Sequence, residues 1–251
     1  MLRCKLSKQW HHTHLPQTVS TMIELQRERY FNSSSAFELL TTDYQTAGRG
    51  QRGTSWEADE GCNLLFGFVF HPTTLLATQQ FLLSEALALS VGSALSVYAH
   101  DIMVKWPNDV YWHDKKICGM LLEHTLLGKH IATTLTGVGI NINQESFKSD
   151  APNPISLYQI IGRKVSLEEL LTHITIAFEK RYLLIKNERC NDLHLEYMNN
   201  LYRANGFHEY RDVQGVFKAQ IEDISPMGIL TLKKEDNTLQ RYAFKEVSFV
   251  L

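Results

Sequence analysis

The sequence predicts an α/β (α+β) chain, a mixed sheet flanked by helices and followed by a small all-β appendage. Three observations carry this. The runs Phe37–Tyr44, Asn63–His71 and Ile131–Ile142 have the length and β-favouring composition of strands, and the second reads as mostly buried, closed by Pro72. Between them, Thr78–Tyr98 carries Phe81, Leu82, Glu85, Leu89 and Leu95 at helical spacing, as a core helix over the sheet would. From about Gly206 the texture changes to short alternating segments. The division expected is therefore 1–205 for the main domain and 206–251 for a compact β-barrel-like unit.

In chain order, Trp10–His14 reads as a polar strand or arm. Its three histidines have no carboxylate or cysteine at ligand spacing, which argues against a metal site. Ser20 and Thr21 are N-cap residues for a helix through MIELQRERYF, with Glu24 completing a capping box with Thr21. Ile102–Trp112 is a strand that must break or bulge at Pro107, which cannot donate a ladder hydrogen bond. After the turn His113-Asp114-Lys115, Lys116–Thr125 returns as a strand, and Gly128 turns the chain into Ile131–Ile142. Ser156–Ile161 is a short helix, Ser166 caps a helix to about Asn187, and Asn191–Leu201 is another. The tail strands are VFKAQIEDI, GILTLKK, LQRYAFKEV and FVL, with turns at Ser225-Pro226-Met227-Gly228 and Glu235-Asp236-Asn237.

Bulk properties bound the function. With 251 residues and a net charge of −2, broad electrostatic binding to nucleic acid or anionic membrane is not expected, so any basic site is local. No apolar stretch has the length of a membrane span, and the N-terminus lacks the apolar core of a secretory signal. Cys4, Cys62, Cys118 and Cys190 are widely spaced, as free thiols of a reducing compartment are, and a cytoplasmic location is expected.

Four stretches carry chemistry. Thr42–Trp56 sets Gly48, Gly50 and Gly53 among Arg49 and Arg52, a loop fit to close over an anion. Glycine permits close backbone approach, and arginine brings a fixed charge with a planar donor fork. Lys105-Trp106-Pro107-Asn108-Asp109 ends an apolar strand with an ammonium, an amide and a carboxylate. Lys116 opens the next strand ahead of Gly119, and Gly137-Val138-Gly139-Ile140-Asn141 closes the following one. Each stretch alone fits an ordinary turn or surface lysine. In this order they point to one site.

Together with the Ser20-Thr21 helix start and Trp56, the segments YQTAGRGQRG, KWPNDV, KKICG and GVGIN resemble the biotin–protein ligase family across about residues 19–145. The β tail resembles that family's SH3-like C-terminal domain. The resemblance implies a class II synthetase-like catalytic domain and a two-step reaction. Biotin and ATP give biotinyl-5′-AMP, and the biotinyl group then passes to a lysine of a biotin carboxyl carrier protein.

Carried over by position, Ser20, Thr21 and Gln45 bond biotin's ureido ring, with Met22 and Gly119 in the same pocket. Arg49, Gly48, Gly50 and Gln51 cover biotin and phosphate, and Lys116 bridges the biotin carboxylate and the α-phosphate. Trp56 lies beneath adenine, Arg52, Lys105, Asn108 and Asn141 contact the nucleotide, and Asp109 takes part in catalysis near magnesium. No residue is assigned with certainty as a metal ligand.

Two departures stand out: Met22 replaces the usual amide, and Gln51 and Thr54 stand where arginines are common. Fewer cations imply faster escape of biotinyl-AMP, which a release-rate comparison with Gln51→Arg checks. A lipoate ligase and a non-catalytic binding module are the alternatives. An N-terminal DNA-binding domain of three helices needs over ~35 residues, more than the stretch before Ser20 offers, so no DNA partner is expected. No membrane partner is expected either, and monomer and homodimer both stay open.

Overall fold

The computed structural model describes residues 6–27, 30, 35–50, 55–149 and 151–250. Strands β1 (Trp10–Thr18), β2 (Phe37–Gln45), β3 (Leu64–Phe70), β4 (Ile102–Lys105), β5 (Asp109–Trp112), β6 (Lys115–Leu127) and β7 (His130–Ile140) form a seven-stranded sheet. Its order is β1-β2-β3-β7-β6-β5-β4. β1 runs parallel to β2 and the other pairs are antiparallel, so the sheet is mixed.

Helix α1 (Thr21–Leu25) lies on one face. Helices α2 (Phe81–Leu95), α3 (Leu157–Ile161), α4 (Leu167–Lys186) and α5 (Cys190–Asn199) contribute to the main core on the other side. β3 is buried along its whole length because both faces are covered. Phe66, Phe68 and Phe70 join the main core, while Val69 joins Met22, Leu25 and Leu40 on the α1 side. On the main side, Trp10 stacks on Phe37 at 4.4 Å, and Phe178 of α4 meets Phe68 edge-on at 4.9 Å.

Several elements differ from the sequence reading. The first helix is a short one, and Ser20 occupies its N-cap without a side-chain capping bond. The expected Thr21–Glu24 box does not form, because Thr21 is already inside the helix: the Glu24 amide donates to Ser20 O at 3.0 Å and the Glu24 carboxylate pairs with Arg27 at 3.1 Å. Pro107 does more than interrupt a strand: β4 and β5 are antiparallel arms of a hairpin turning at Trp106–Asn108. Ser156 forms a full capping box with Gln159 at the start of α3, and Ser166 accepts from the Glu169 amide at the start of α4.

The tail has a strand that its sequence did not announce, β8 (His208–Asp212). It joins β9 (Gly215–Ile224), β10 (Leu230–Lys234), β11 (Leu239–Tyr242) and β12 (Ser248–Phe249) in a sheet ordered β11-β10-β9-β8-β12. Alternating charged residues in HEYRD hide the strand, since only Tyr210 is buried. Among the described residues no ladder joins β11 to β12.

The C-terminal sheet is bound tightly to the rest. The Phe81 amide donates to Pro226 O at 3.1 Å, and the Trp106 indole donates to Gly228 O at 3.0 Å. His194 of α5 bridges the join, 2.8 Å from the buried Glu85 of α2 and 3.1 Å from Asp223 of β9. The hydrogen bond to Glu85 pushes His194 up to about 9 against the effect of burial, while burial pushes Glu85 above its ordinary value.

A histidine whose folded value is raised stabilises fully below its unfolded value of about 6.5, and that stabilisation is lost as pH rises through the folded value. Melting temperature is therefore expected to fall by a few degrees between pH 6.5 and 9.5. The fall should flatten in Glu85→Gln, as thermal melts across that range would show. An unchanged slope in that variant would end the assignment.

Candidate active site

The local geometry of β6 decides which way Lys116 faces. Lys116 and Gly119 are three apart, so in a regular strand of period two they would point to opposite faces. The β5–β6 register shifts between Val110 and Tyr111, placing Val110 opposite Cys118 and Tyr111 opposite Lys116. This bulge inserts a residue, lets Ile117 and Cys118 both bury fully in the core, and turns Lys116 and Gly119 to the same side. Residues 153–155 fix the spot, since the Lys116 amide donates to Asn153 O at 2.8 Å and Lys116 O accepts from Ile155 at 3.0 Å.

The side chains converge on a cavity of ≈ 590 Å³. Lys116 Nζ is 2.8 Å from Asp109 Oδ1 and 5.7 Å from the Trp56 ring centroid. The indole of Trp56 lies across a floor of glycines. A Cβ at Gly139 would sit 2.5 Å from Trp56 Cε2, and one at Gly119 would sit 2.9 Å from Trp56 Cζ3. Its Nε1 is buried with no hydrogen-bond partner among the described residues.

At one end are the buried Ser20, Thr21 and Met22, with Gln45. Gln45 Oε1 accepts from the Thr21 amide at 2.8 Å and from Thr21 Oγ1 at 3.2 Å. A backbone N–H only donates, so this fixes the carboxamide and leaves its NH₂ as the group free to donate to a ligand. Gly48 admits the approach, since a Cβ there would lie 3.0 Å from Trp56 O and 3.1 Å from Gln45 Nε2.

Toward the other end, the amide of Asn108 donates to Met120 O, and the Met120 amide donates back to Asn108 O at 3.0 Å. This double bond pair pins the 106–108 turn to β6. Lys105 Nζ stands 5.0 Å from the Tyr111 ring centroid and 4.6 Å from that of Phe249. Burial lowers its affinity for a proton, with Asp109 opposing and Lys116 and Arg203 adding to the effect.

Ser20, Thr21, Met22, Gln45, Arg49, Gly50, Trp56, Lys105, Asn108, Asp109, Lys116 and Gly119 thus line one cavity. Gly48 stands behind it, against Gln45 and Trp56. Gln51 and Arg52 lie outside the described residues. Asn141 is not among the lining residues. The lining along β7 ends at Gly139, and Asn141 sits past the strand end, where its buried backbone donates to Ile117 O at 2.9 Å and accepts from Leu157 at 3.0 Å.

Asp109 is engaged by Lys116, and no group of three His, Cys, Asp or Glu among the described residues is arranged to hold a metal. Sequence reasoning missed the wall that the C-terminal sheet supplies: Phe244, Lys245, Val247, Ser248 and Phe249. Phe244 and Phe249, five residues apart near the end of the chain, were the available signal.

A model of the Biotin/lipoate A/B protein ligase family matches residues 15–141. The chain belongs to this family. Among family relatives, a bifunctional ligase/repressor, BirA, of Bacillus spizizenii is 29% identical over 84% of this chain and 66% of that protein. The chain thus spans about two thirds of that relative's length. A biotin–[acetyl-CoA-carboxylase] ligase of Paracoccus denitrificans is 32% identical over 66% of this chain and 70% of that protein. Among solved structures, a biotin protein ligase from Aquifex aeolicus in complex with biotin and ATP shares the fold. Its TM-score is 0.76 at 24% identity, with 94% of this chain and 97% of that chain covered.

Proposed function

We infer that this protein is an ATP-dependent ligase that activates biotin as biotinyl-5′-AMP and transfers it to a lysine of a biotin carboxyl carrier protein. One observation carries the reading. Lys116 stands in a single cavity between a neutral polar end (Ser20, Thr21, Gln45) and a wall bearing further cations.

The chemistry asks for that arrangement. A carboxylate and a triphosphate about 4 Å apart repel by about 4 kcal/mol at an effective dielectric near 20. The ammonium of Lys116, with Arg49 and Lys105, offsets this repulsion while holding the carboxylate oxygen against the α-phosphorus. The bond from that oxygen to phosphorus forms and pyrophosphate leaves with the electron pair. In the second step the neutral carrier amine attacks the acyl carbon, the bond from that carbon to the phosphate oxygen breaks with its electron pair staying on AMP, and the proton lost by the amine passes to water. Asp109, the one carboxylate among the described lining residues, draws the incoming ammonium.

The freed NH₂ of Gln45 suits a carbonyl acceptor such as the ureido oxygen of biotin, and the dithiolane of lipoate offers no such acceptor. Trp56 serves as the surface beneath adenine. Magnesium would accompany the phosphates of the nucleotide substrate, where such ions bind through phosphate oxygens and one or two carboxylates, with Asp109 as the nearby carboxylate. Residues 206–251 form the proposed second domain.

No helix among the described residues is long and apolar enough to cross a membrane, and the free Cys62, Cys118 and Cys190 support a cytoplasmic location. The test is biotin-dependent exchange of labelled pyrophosphate into ATP. Exchange is expected with biotin and not with lipoate, and its absence with both acids would overturn the reading.

A further inference from the structure

We propose that Lys245, on the wall supplied by the C-terminal sheet, holds the pyrophosphate end of the nucleotide as biotin is activated. This rests on the ligase reading above and adds to it a group outside residues 15–141, where the family model matches.

The backbone is the first observation. Lys245 has φ 73°, a left-handed conformation that costs a residue with a Cβ free energy and that glycine adopts freely. The turn imposes it: the Glu246 amide donates to Ala243 O at 3.1 Å, and Glu246 Oε2 accepts from the Ala243 amide at 2.7 Å. Other non-glycine residues in the described chain have positive φ, namely Asp101, His113, Glu188, Arg203 and Asn237, but Lys245 is the one that lines the cavity. A strained position at a site calls for a functional account.

The second observation is its charge. Among the described residues Lys245 makes no ion pair, and its ammonium stands 5.8 Å from the Phe244 ring centroid. Lys116, by contrast, is engaged with Asp109. Lys245 is thus a cation on the cavity wall whose charge no carboxylate of the described chain answers.

The third is direction. Met22 lies against Gly137 of β7, Trp56 against Gly139 and Gly119, and Trp106 of the β4–β5 turn against Phe244. Across the order β7-β6-β5-β4 the cavity therefore runs from the Ser20–Gln45 end, past Trp56 and Lys116, to Trp106 and the tail. Trp106 meets Phe244 at 6.2 Å, and Lys105 meets Phe249 at 4.6 Å. In a displacement at phosphorus the attacking and leaving oxygens lie roughly in line. A carboxylate arriving from the Ser20–Gln45 end therefore expels pyrophosphate toward the opposite end. The carboxylate oxygen bonds to the α-phosphorus, the bond from that phosphorus to the bridging oxygen breaks, and its electron pair stays with pyrophosphate. The negative charge grows beside Lys105 and Lys245.

The test uses the full chain with biotin, ATP and pyrophosphate. Lys245→Met is expected to raise KM for ATP and the concentration of pyrophosphate needed for exchange by about tenfold each. KM for biotin, and transfer to the carrier from chemically prepared biotinyl-AMP, should stay as they are, since neither involves pyrophosphate. Lys245→Arg should restore most of the loss. Lys245→Gly separates function from structure: it should lose affinity for pyrophosphate as Lys245→Met does, yet melt at a higher temperature because the backbone strain is gone.

Unchanged ATP and pyrophosphate dependence in Lys245→Met overturns the assignment. So does an equal loss of transfer from the prepared adenylate, which would mark a general disturbance of the wall. Absence of biotin-dependent exchange in the unchanged protein overturns the ligase reading and the assignment with it.

Discussion

Lys116→Ala is expected to lower the rate of biotinyl-AMP formation by about 10²–10³-fold, the size of effect seen when one preorganised charge or donor is removed from an acyl-transfer site. The side chain is the only part lost. The backbone bonds from Lys116 to Asn153 and Ile155 hold the bulge in place, and Ile117 and Cys118 keep it packed into the core. The fold should therefore survive with little change in melting temperature. Asp109 loses its 2.8 Å partner, but at 17% side-chain exposure it keeps some access to water, which limits the structural penalty. Single-turnover measurement of biotinyl-AMP, set beside circular dichroism, checks both halves. Adenylation at the rate of the unchanged protein would remove Lys116 from its role.

The second large effect is at Gly139. Alanine there places a Cβ 2.5 Å from Trp56 Cε2 and 2.6 Å from Nε1, closer than non-bonded atoms approach. The strand backbone cannot retreat, since β7 is held between β3 and β6, so the indole has to move. Overpacking of this kind costs about 1–3 kcal/mol. It also displaces the surface proposed beneath adenine, and KM for ATP is expected to rise by about tenfold or more, given that aromatic stacking on a base contributes about 1–3 kcal/mol. Intrinsic fluorescence reports the ring movement, and initial rates report the nucleotide. A shifted fluorescence spectrum with an unchanged KM for ATP would show that Trp56 does not carry adenine.

How far the molecule could be read from its residues follows from how local each signal was. Strands β2, β3 and β7 and helices α2 and α4 have apolar patterns confined to their own segments, and they stand within a few residues of where their patterns put them. The bulge at Lys116 leaves no such trace, because a lysine and a glycine three apart share a face only through the register shift between β5 and β6. The hairpin at Pro107 was half legible: proline announces a break, but whether the chain bulges or reverses depends on Asn108 reaching Met120. The capping box at Thr21 failed because the helix begins one residue earlier, with Ser20 at the N-cap and its carbonyl taking the Glu24 amide.

The sequence by itself determined the chemistry available, namely a glycine-rich loop with Arg49, the cations Lys105 and Lys116, and the carboxylate Asp109, because charge, donor geometry and missing Cβ atoms belong to single residues. Only the tertiary structure decided that Phe244 to Phe249 complete the cavity and that Asn141 stands outside it. The bond from Trp106 to Gly228 that seats the tail spans 122 residues. Such a contact depends on where two sheets come to rest against α2, and no local pattern of side chains encodes it.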